Sequence, residues 1–296
     1  MSGTVHFEAG PALPSLPEGD RLRALLTQAL ADRGVSPLVP TTPLPWDADF
    51  FGLSHIRAFR AADAEAQARV LAHACEGVLQ EALQIETLGM AYAAKMTLLA
   101  PTLEERSLYA LFTAEEATHL TNVSSFVSRR EVDSPFLDLL RQLTEQSDRA
   151  GLVLLVQVVL EGWGLDHYRG LARSCRDPGL TRVLEGILRD EARHHGSGVV
   201  LAPRLGVPEG AEDVLASFCQ MVRVGPQGLL SALEHGLGPL PRSSRVRALE
   251  ELDTRAHAGR RLTLLRELLE RVGADALIHT LDTRGCFTPL DPEEAA

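Results

Sequence analysis

Two short motifs in this sequence place a histidine three residues after a glutamate. They are Glu116-Ala-Thr-His119 and Glu191-Ala-Arg-His194. On an α-helix, positions i and i+3 lie on one face about one turn apart, so the carboxylate and the imidazole can bind the same metal ion. The spacing therefore predicts that each motif contributes to a metal site.

Each motif follows a further glutamate by 30 residues, Glu86 in the first case and Glu161 in the second. Every member of the second set lies 75 residues after its counterpart, which indicates an internal repeat. A single Glu-x-x-His is common on solvated helices, where it forms only a local hydrogen bond, but two copies with matched glutamates are harder to attribute to chance. The predicted metal ligands are Glu86, Glu116, His119, Glu161, Glu191 and His194.

Long helices are predicted to carry these six residues. From residue 62 onward the sequence is rich in Ala, Leu, Glu and Arg, and aromatic residues make up only 5%, which indicates an all-α protein. Two antiparallel hairpins separated by one long connection have the layout of a four-helix bundle. The long helices are predicted at residues 62–99, 102–127 (with a capping box at 102–105), 149–175 and then up to 202, before Pro203, with a shorter helix at 134–146.

The regions on either side of the bundle differ from it in composition. Residues 1–61 contain many prolines around one helical pattern at 20–32, which predicts an ordered or semi-ordered arm. Residues 62–203 are predicted to form the bundle, and residues 204–296 a helical extension packed on it. Within the extension, helical patterns occur at residues 211–223, 227–235 and 244–272.

Charge, cysteine content and the N-terminus restrict the partners and the compartment. The net charge of -11 gives no overall attraction to nucleic acid or to anionic lipid. The four cysteines are far apart and form no CxxC pair, and the N-terminus lacks a signal-peptide pattern. The longest apolar run, residues 150–160, is shorter than a membrane span and predicts a buried core helix. We expect a cytoplasmic protein that binds neither nucleic acid nor membrane.

The constellation resembles the ferritin-like dinuclear carboxylate superfamily over roughly residues 62–202. The segment Asp190-Glu-Ala-Arg-His194 is similar to the motif of the oxygen-activating enzymes in that superfamily. The resemblance implies a ferritin-like four-helix bundle that holds two iron ions, with manganese or a mixed manganese/iron pair as alternatives, and dioxygen as co-substrate. Apolar residues flank Glu86 and Glu161 on their helix faces, so bound cations would offset the cost of burying the carboxylates.

Three function classes are compatible with such a centre. The first is an oxidase or monooxygenase that acts on a small, largely apolar organic substrate with an electron donor. The second is iron or peroxide handling, as in ferritins and rubrerythrins, and the third is a non-catalytic metal-dependent scaffold. The arm and the C-terminal extension favour the first, because a storage bundle needs no cover for a substrate pocket. Cys219 and Cys286 also do not form the four-cysteine domain usual in rubrerythrins.

The amine N-oxygenases are one branch of the resemblance that this sequence does not follow closely. They carry an extra histidine four residues before the last ligand glutamate, where this chain has Ile187. The oligomeric state stays open, with a homodimer as one expectation.

Acidic residues directly precede both motifs. Glu115 and Asp190 are predicted either to hold the free ring nitrogen of a ligand histidine across the bundle or to be ordinary surface acids. His195 competes with His194 for the ligand role, and the internal repeat favours His194.

Several further residues have both a structural and a functional interpretation. Gly89 and Gly164 follow the lone glutamates by three residues, where they would permit close helix packing or leave space for oxygen or substrate. Tyr109 and Tyr168 lie two turns from ligand glutamates and are core tyrosines by default, or electron relays. The residues predicted only to pack are Trp163 and His167.

Overall fold

The structure is a computed structural model that describes residues 16–128 and 134–296. Within these ranges the chain forms helices and connecting loops without β-strands, so the all-α prediction is confirmed. The α-helices are α1 Arg21–Ala31, α2 Arg57–Ala61, α3 Ala64–Leu99, α4 Leu103–Ser124, α5 Pro135–Gln146, α6 Arg149–Ser174, α7 Pro178–Leu205, α8 Ala211–Arg223, α9 Gln227–Leu237, α10 Arg242–Glu251, α11 Thr254–Arg271, α12 Asp275–Thr283 and α13 Pro292–Ala295.

The first hairpin of the bundle consists of α3 and α4. The side chain of Asp63 accepts a hydrogen bond from the backbone N–H of Ala66, at 2.8 Å, and caps the start of α3. The chain then turns at Pro101, and the Thr102 hydroxyl accepts from the N–H of Glu105, at 3.2 Å, to begin α4. The two helices pack along each other, which places Glu86 opposite the first Glu-x-x-His motif.

The second hairpin consists of α6 and α7. One Asp177 carboxylate oxygen caps α7 by accepting from the N–H groups of Gly179 and Leu180, at 2.8 and 2.9 Å, and Pro178 occupies the first turn. Helix α7 also packs against α4, so the two hairpins form the predicted four-helix bundle. The remaining C-terminal helices pack around it, with α9 against α3 and α11 against α6.

Helix α6 is π-helical from Leu152 to Glu161 and α-helical after Gly162. Its residues from Leu152 to Val159 are all buried, as predicted for the apolar run. The π-helical geometry was not predicted, because apolar periodicity over ten residues does not separate i→i+5 from i→i+4 bonding. Such segments are rare and frequently lie at functional sites, and this one ends at a predicted ligand.

By length and composition, α6 could also cross a membrane, and it is the only such helix among residues 16–128 and 134–296. Its most apolar 18-residue window has a mean hydropathy of 1.2, and 56% of that window is buried inside the protein. The helix also carries two polar side chains that face the bundle. Gln157 donates a hydrogen bond to a backbone carbonyl of α7, and Glu161 belongs to the cluster of predicted ligands. We interpret it as a core helix of the bundle.

Two predicted helix boundaries are wrong. Helix α7 does not stop before Pro203 but continues to Leu205 and ends at Gly206, whose φ of 77° lies in the left-handed region. A proline in the last turn removes only one hydrogen bond, which packing of the helix can offset. The pattern at 244–272 is two helices, α10 and α11, because Asp253 adopts φ 50° and breaks the hydrogen-bond series.

The described part of the N-terminal arm packs on the end of the second hairpin. Trp46 is completely buried and donates its indole N–H to the carbonyl of Leu171, at 2.9 Å. Thr41 donates through its N–H and its hydroxyl to Asp177, at 2.6 and 2.8 Å. In contrast, α1 buries none of its residues. The arm is therefore ordered on the bundle from about Val35 onward, and residues 1–15 lie outside the described residues.

Candidate metal centre

The six predicted ligands come together as two overlapping groups between the four bundle helices. Within each group, one potential ligand atom of every residue lies within 4.8 Å of those of the others. Glu191 belongs to both groups. The first group is Glu86, Glu116, His119 and Glu191, and the second is Glu161, Glu191 and His194.

The Glu116 carboxylate faces both histidines. Its Oε2 is 3.7 Å from Nδ1 of His119, and its Oε1 is 3.2 Å from Nδ1 of His194. Glu86 Oε2 lies 3.2 Å from His119 Nδ1, and Glu191 Oε2 lies 3.6 Å from His194 Nδ1. One glutamate from each half of the repeat, Glu116 and Glu191, therefore lies next to both halves of the cluster.

The donor atoms of this cluster fit a pair of cations. Five of the six ligand residues are buried, and Glu161 is partly buried. Four buried atoms in the cluster have no hydrogen-bond partner, although lone pairs in such positions are normally satisfied. They are Glu86 Oε2, His119 Nδ1, Glu161 Oε2 and His194 Nδ1. All four are acceptors when the imidazoles are neutral and protonated at Nε2, so two hard or borderline cations would satisfy them without any thiolate ligand.

Each histidine is held by an acid from the opposite helix of the bundle. His119 Nε2 on α4 lies 3.0 Å from Asp190 Oδ2 on α7, and His194 Nε2 on α7 lies 2.9 Å from Glu115 Oε2 on α4. These contacts direct the Nδ1 atoms towards the carboxylate cluster, as outer carboxylates do for metal-binding histidines. Of the two interpretations of Glu115 and Asp190, the structure shows the one in which they orient ligands.

A single arginine joins the two outer carboxylates. Arg193 Nη2 donates to Glu115 Oε1 and to Asp190 Oδ1, at 2.7 Å in both cases. The guanidinium is half exposed, so it closes the outer-carboxylate network on the solvent side. Sequence reasoning missed this residue, although it lies inside the second motif. The counterpart of Arg193 in the first motif is Thr118, so the internal repeat does not indicate a functional arginine at this position.

The choice between His194 and His195 is decided by where the rings lie. His195 Nδ1 is 3.1 Å from the backbone carbonyl of Gln157 and contacts no carboxylate of the cluster. Only His194 reaches the carboxylates, as the repeat predicted.

The pKa values of both histidines and of two glutamates in the cluster are raised, although burial alone would lower those of the histidines. Burial disfavours charge on His119, but its hydrogen bond to Asp190 and the nearby carboxylates of Glu116 and Glu86 outweigh burial and raise the pKa to about 12. The pKa of His194 is raised well above its usual value by the corresponding contacts. Burial and then neighbouring carboxylates raise the pKa of Glu161, and the same causes raise that of Glu191. Without metal, protons therefore supply the positive charge that the cluster requires.

Stability of the metal-free protein is expected to fall as the pH rises from about 6.5 towards 10. A histidine with a raised pKa stabilises the fold fully below its unfolded pKa of 6.5, and this contribution is lost as the pH rises through the folded value. The raised carboxyl pKa values act in the same direction. Unfolding midpoints of chelator-treated protein across this pH range test the expectation. With bound metal the fall should be shallower, since metal binding requires deprotonated ligands. A metal-free protein that becomes more stable above pH 7 would contradict it.

Two tyrosine hydroxyls and one buried amide side chain form hydrogen bonds around the carboxylate cluster. Tyr168 donates to Glu86 Oε1 at 2.5 Å, and Tyr109 donates to Gln157 Oε1 at 2.8 Å. Gln157 is completely buried and donates to the carbonyl of His194, at 3.0 Å, and to Ser197. The sequence contained a signal for this residue, because Gln157 is the only polar side chain in the apolar run 150–160. Trp163, predicted to pack, lies between Phe218 and a guanidinium group.

The two repeat-related glycines have different surroundings. A Cβ at Gly89 would lie 2.8 Å from Glu116 Oε2, whereas a Cβ at Gly164 would meet nothing within 4 Å. Gly89 therefore allows the Glu116 carboxylate to approach α3. The expected packing role of Gly164 is wrong, because open space surrounds it.

Gly89→Ala is expected to displace the Glu116 carboxylate and to weaken binding of both ions by at least about tenfold, the size of effect seen when groups around ligands are altered. Gly164→Ala is the matched control, and it should leave metal affinity unchanged while slightly favouring the helix. Metal titrations followed by calorimetry compare the two variants. Equal affinities would show that Glu116 is not held where the structure places it.

Comparison with known proteins agrees with this architecture. Residues 74–199 match the ferritin-like domain family, and this segment contains all six predicted ligands. Among solved structures, the chain is similar to an R2-like ligand-binding oxidase with an aerobically reconstituted Mn/Fe cofactor, with 16% identity, a TM-score of 0.33, and coverage of 87% of this chain and 92% of that one. No protein with curated annotation matches the sequence.

Proposed function

We propose that this protein is an oxygen-dependent, non-heme di-iron oxidase or oxygenase that acts on a small, largely apolar organic substrate. A manganese or mixed manganese/iron pair is compatible with the same ligands, and an electron donor is required if one oxygen atom of dioxygen is inserted and the other is reduced to water. The observation that carries the proposal is the pair of overlapping Glu/His groups that share Glu191 inside a ferritin-like domain.

Each of the six predicted ligands would have a defined role. Glu86 and His119 would hold one ion and Glu161 and His194 the other. Glu116, which faces both histidines, and Glu191, which belongs to both groups, would contribute to both ions. When bound, the two ions supply the electrons that reduce dioxygen. The outer acids keep the histidine Nδ1 atoms directed at the ions.

The helices around the bundle support the preference for an organic substrate over iron storage. A cavity of about 400 Å³ lies where α5, the π-helical part of α6 and the start of α8 meet. Leu139, Leu143, Leu155 and Val214 contribute its apolar surface, and Val214 belongs to the C-terminal extension. Leu155 is six residues before Glu161 on the same helix. The extension therefore shapes a cleft with a mixed polar and apolar lining beside the domain, which storage of iron does not require.

Metal analysis and rapid mixing with oxygen test the proposal together. Protein purified without added metal is analysed for iron and manganese, then loaded anaerobically with ferrous iron and mixed with oxygen. We expect two metal ions per chain and a single oxidation whose product decays slowly until an organic substrate is added. Catalytic oxidation of excess ferrous iron over many turnovers would instead establish a ferroxidase. The absence of stoichiometric metal would exclude both and leave a function outside metal chemistry.

A further inference from the structure

All three tyrosines of this chain are buried close to the metal centre, but they differ in their hydrogen bonding. Tyr168 donates to Glu86 and Tyr109 donates to Gln157. Tyr92 is 2% exposed, and its hydroxyl has no hydrogen-bond partner. A buried hydroxyl without a partner is uncommon, and it calls for a ligand or another function.

Tyr92 lies among aromatic side chains that extend to the carboxylate cluster. It lies on α3 one turn after Gly89, the residue that the Glu116 carboxylate approaches. Its ring packs edge to face on the ring of Tyr109, with centroids 6.5 Å apart. The ring of Tyr109 contacts that of Phe112, which in turn packs on the ring of His194. The pKa of Tyr92 is raised by burial and next by the charge of Glu161, which agrees with this placement.

The unpartnered atoms around the centre are of two chemical kinds. Glu161 Oε2 and the histidine Nδ1 atoms are lone-pair acceptors, which a cation satisfies. A phenolic hydroxyl can accept as well as donate, but its O–H donor is not satisfied by a cation. Tyr92 therefore requires an acceptor atom that neither the metal ions nor the described protein atoms supply.

We propose that the Tyr92 hydroxyl donates a hydrogen bond to a small acceptor ligand, such as a monovalent anion, that enters the metal centre beside the Tyr92–Tyr109 aromatic pair. This inference rests on the proposed function, because it takes the centre to be loaded with metal. It makes Tyr92 the residue that selects ligands with an acceptor atom at that position.

The test compares Tyr92→Phe with Tyr109→Phe, which removes a phenolic hydroxyl from the same aromatic cluster. Azide is the probe, titrated into oxidised, iron-loaded protein and followed by its absorption. We expect the dissociation constant for azide to rise about tenfold or more in Tyr92→Phe, the size of effect typical of a lost hydrogen bond to a charged group. In Tyr109→Phe, with two irons bound, it should stay at the wild-type value.

A second readout does not depend on metal. In metal-free protein, Tyr92→Phe removes an unpartnered buried hydroxyl and should leave the unfolding midpoint unchanged or raise it. Tyr109→Phe leaves Gln157 Oε1 without its donor and should lower the midpoint. A lowered midpoint for Tyr92→Phe, or an unchanged azide affinity in its iron-loaded form, would overturn the proposal. Failure of the proposed function would show earlier, as wild-type protein that takes up no metal.

Discussion

Glu191→Ala is expected to abolish binding of both metal ions and to reduce turnover by more than about 1,000-fold, because the proposed redox chemistry has no other source. The Glu191 carboxylate belongs to both ligand groups and lies 3.6 Å from His194 Nδ1. His194→Ala removes a member of one group only, so it should lose one ion and also all turnover. Metal content after desalting, measured beside oxygen consumption with the substrate, distinguishes the two variants.

The control for this experiment is Glu185→Ala, the same substitution at an exposed position of α7. It should retain two ions and full helical content. If Glu191→Ala also retained two ions, the assignment of Glu191 as a ligand shared by both ions would have to be abandoned.

The outer acids are expected to act on the metal ion held by the opposite helix. Asp190→Ala on α7 should weaken binding of the ion held by His119 on α4, and Glu115→Ala on α4 should weaken the ion held by His194 on α7. The expected loss in affinity is about 10–100-fold for the affected ion, the effect known for acids that orient ligand histidines. The two ions are resolved by stepwise titration with manganese, followed by electron paramagnetic resonance.

The crossed pattern separates this prediction from a general loss of stability. A variant that had only lost folding stability would lose both ions equally, and Glu185→Ala again controls for removal of an acid from α7. Equal loss of both ions in both variants would contradict the crossed arrangement. Loss confined to the ion on the same helix as the substituted acid would contradict it as well.

The helices and the ligand set could be predicted from the sequence because both depend on local spacing. A Glu and a His three residues apart share a helix face in any α-helix, and the 75-residue repeat matched the two halves without knowledge of the fold. The capping residues Asp63 and Thr102 begin their helices as local chemistry requires. Local rules failed where packing opposed them, as at Pro203, and where one residue broke a regular pattern, as at Asp253.

The residues that contact the predicted ligands could not be predicted from helix spacing and the 75-residue repeat. The repeat preserves the ligands but not their neighbours, since Gly89 contacts Glu116 while Gly164 contacts nothing. Arg193 and Gln157 have no equivalents in the first half, where Thr118 and Ala82 stand. These residues act across helices, and side-chain contacts between helices depend on the rotation and depth of each helix in the bundle.

By itself, the sequence determined which residue types face inward at one-turn intervals, and therefore that four carboxylates and two imidazoles would meet if four helices packed together. Only the tertiary structure decided that Glu116 faces both histidines and that Glu191 belongs to both ligand groups. It also decided that Asp190 and Glu115 each contact the histidine of the other hairpin, and that the Tyr92 hydroxyl is left without a partner. The physical reason is the range of the interactions. Helix periodicity is set by hydrogen bonds four or five residues apart, whereas the hydrogen bonds that Asp190, Glu115 and Tyr168 form at the centre join residues 71 or more positions apart across the bundle.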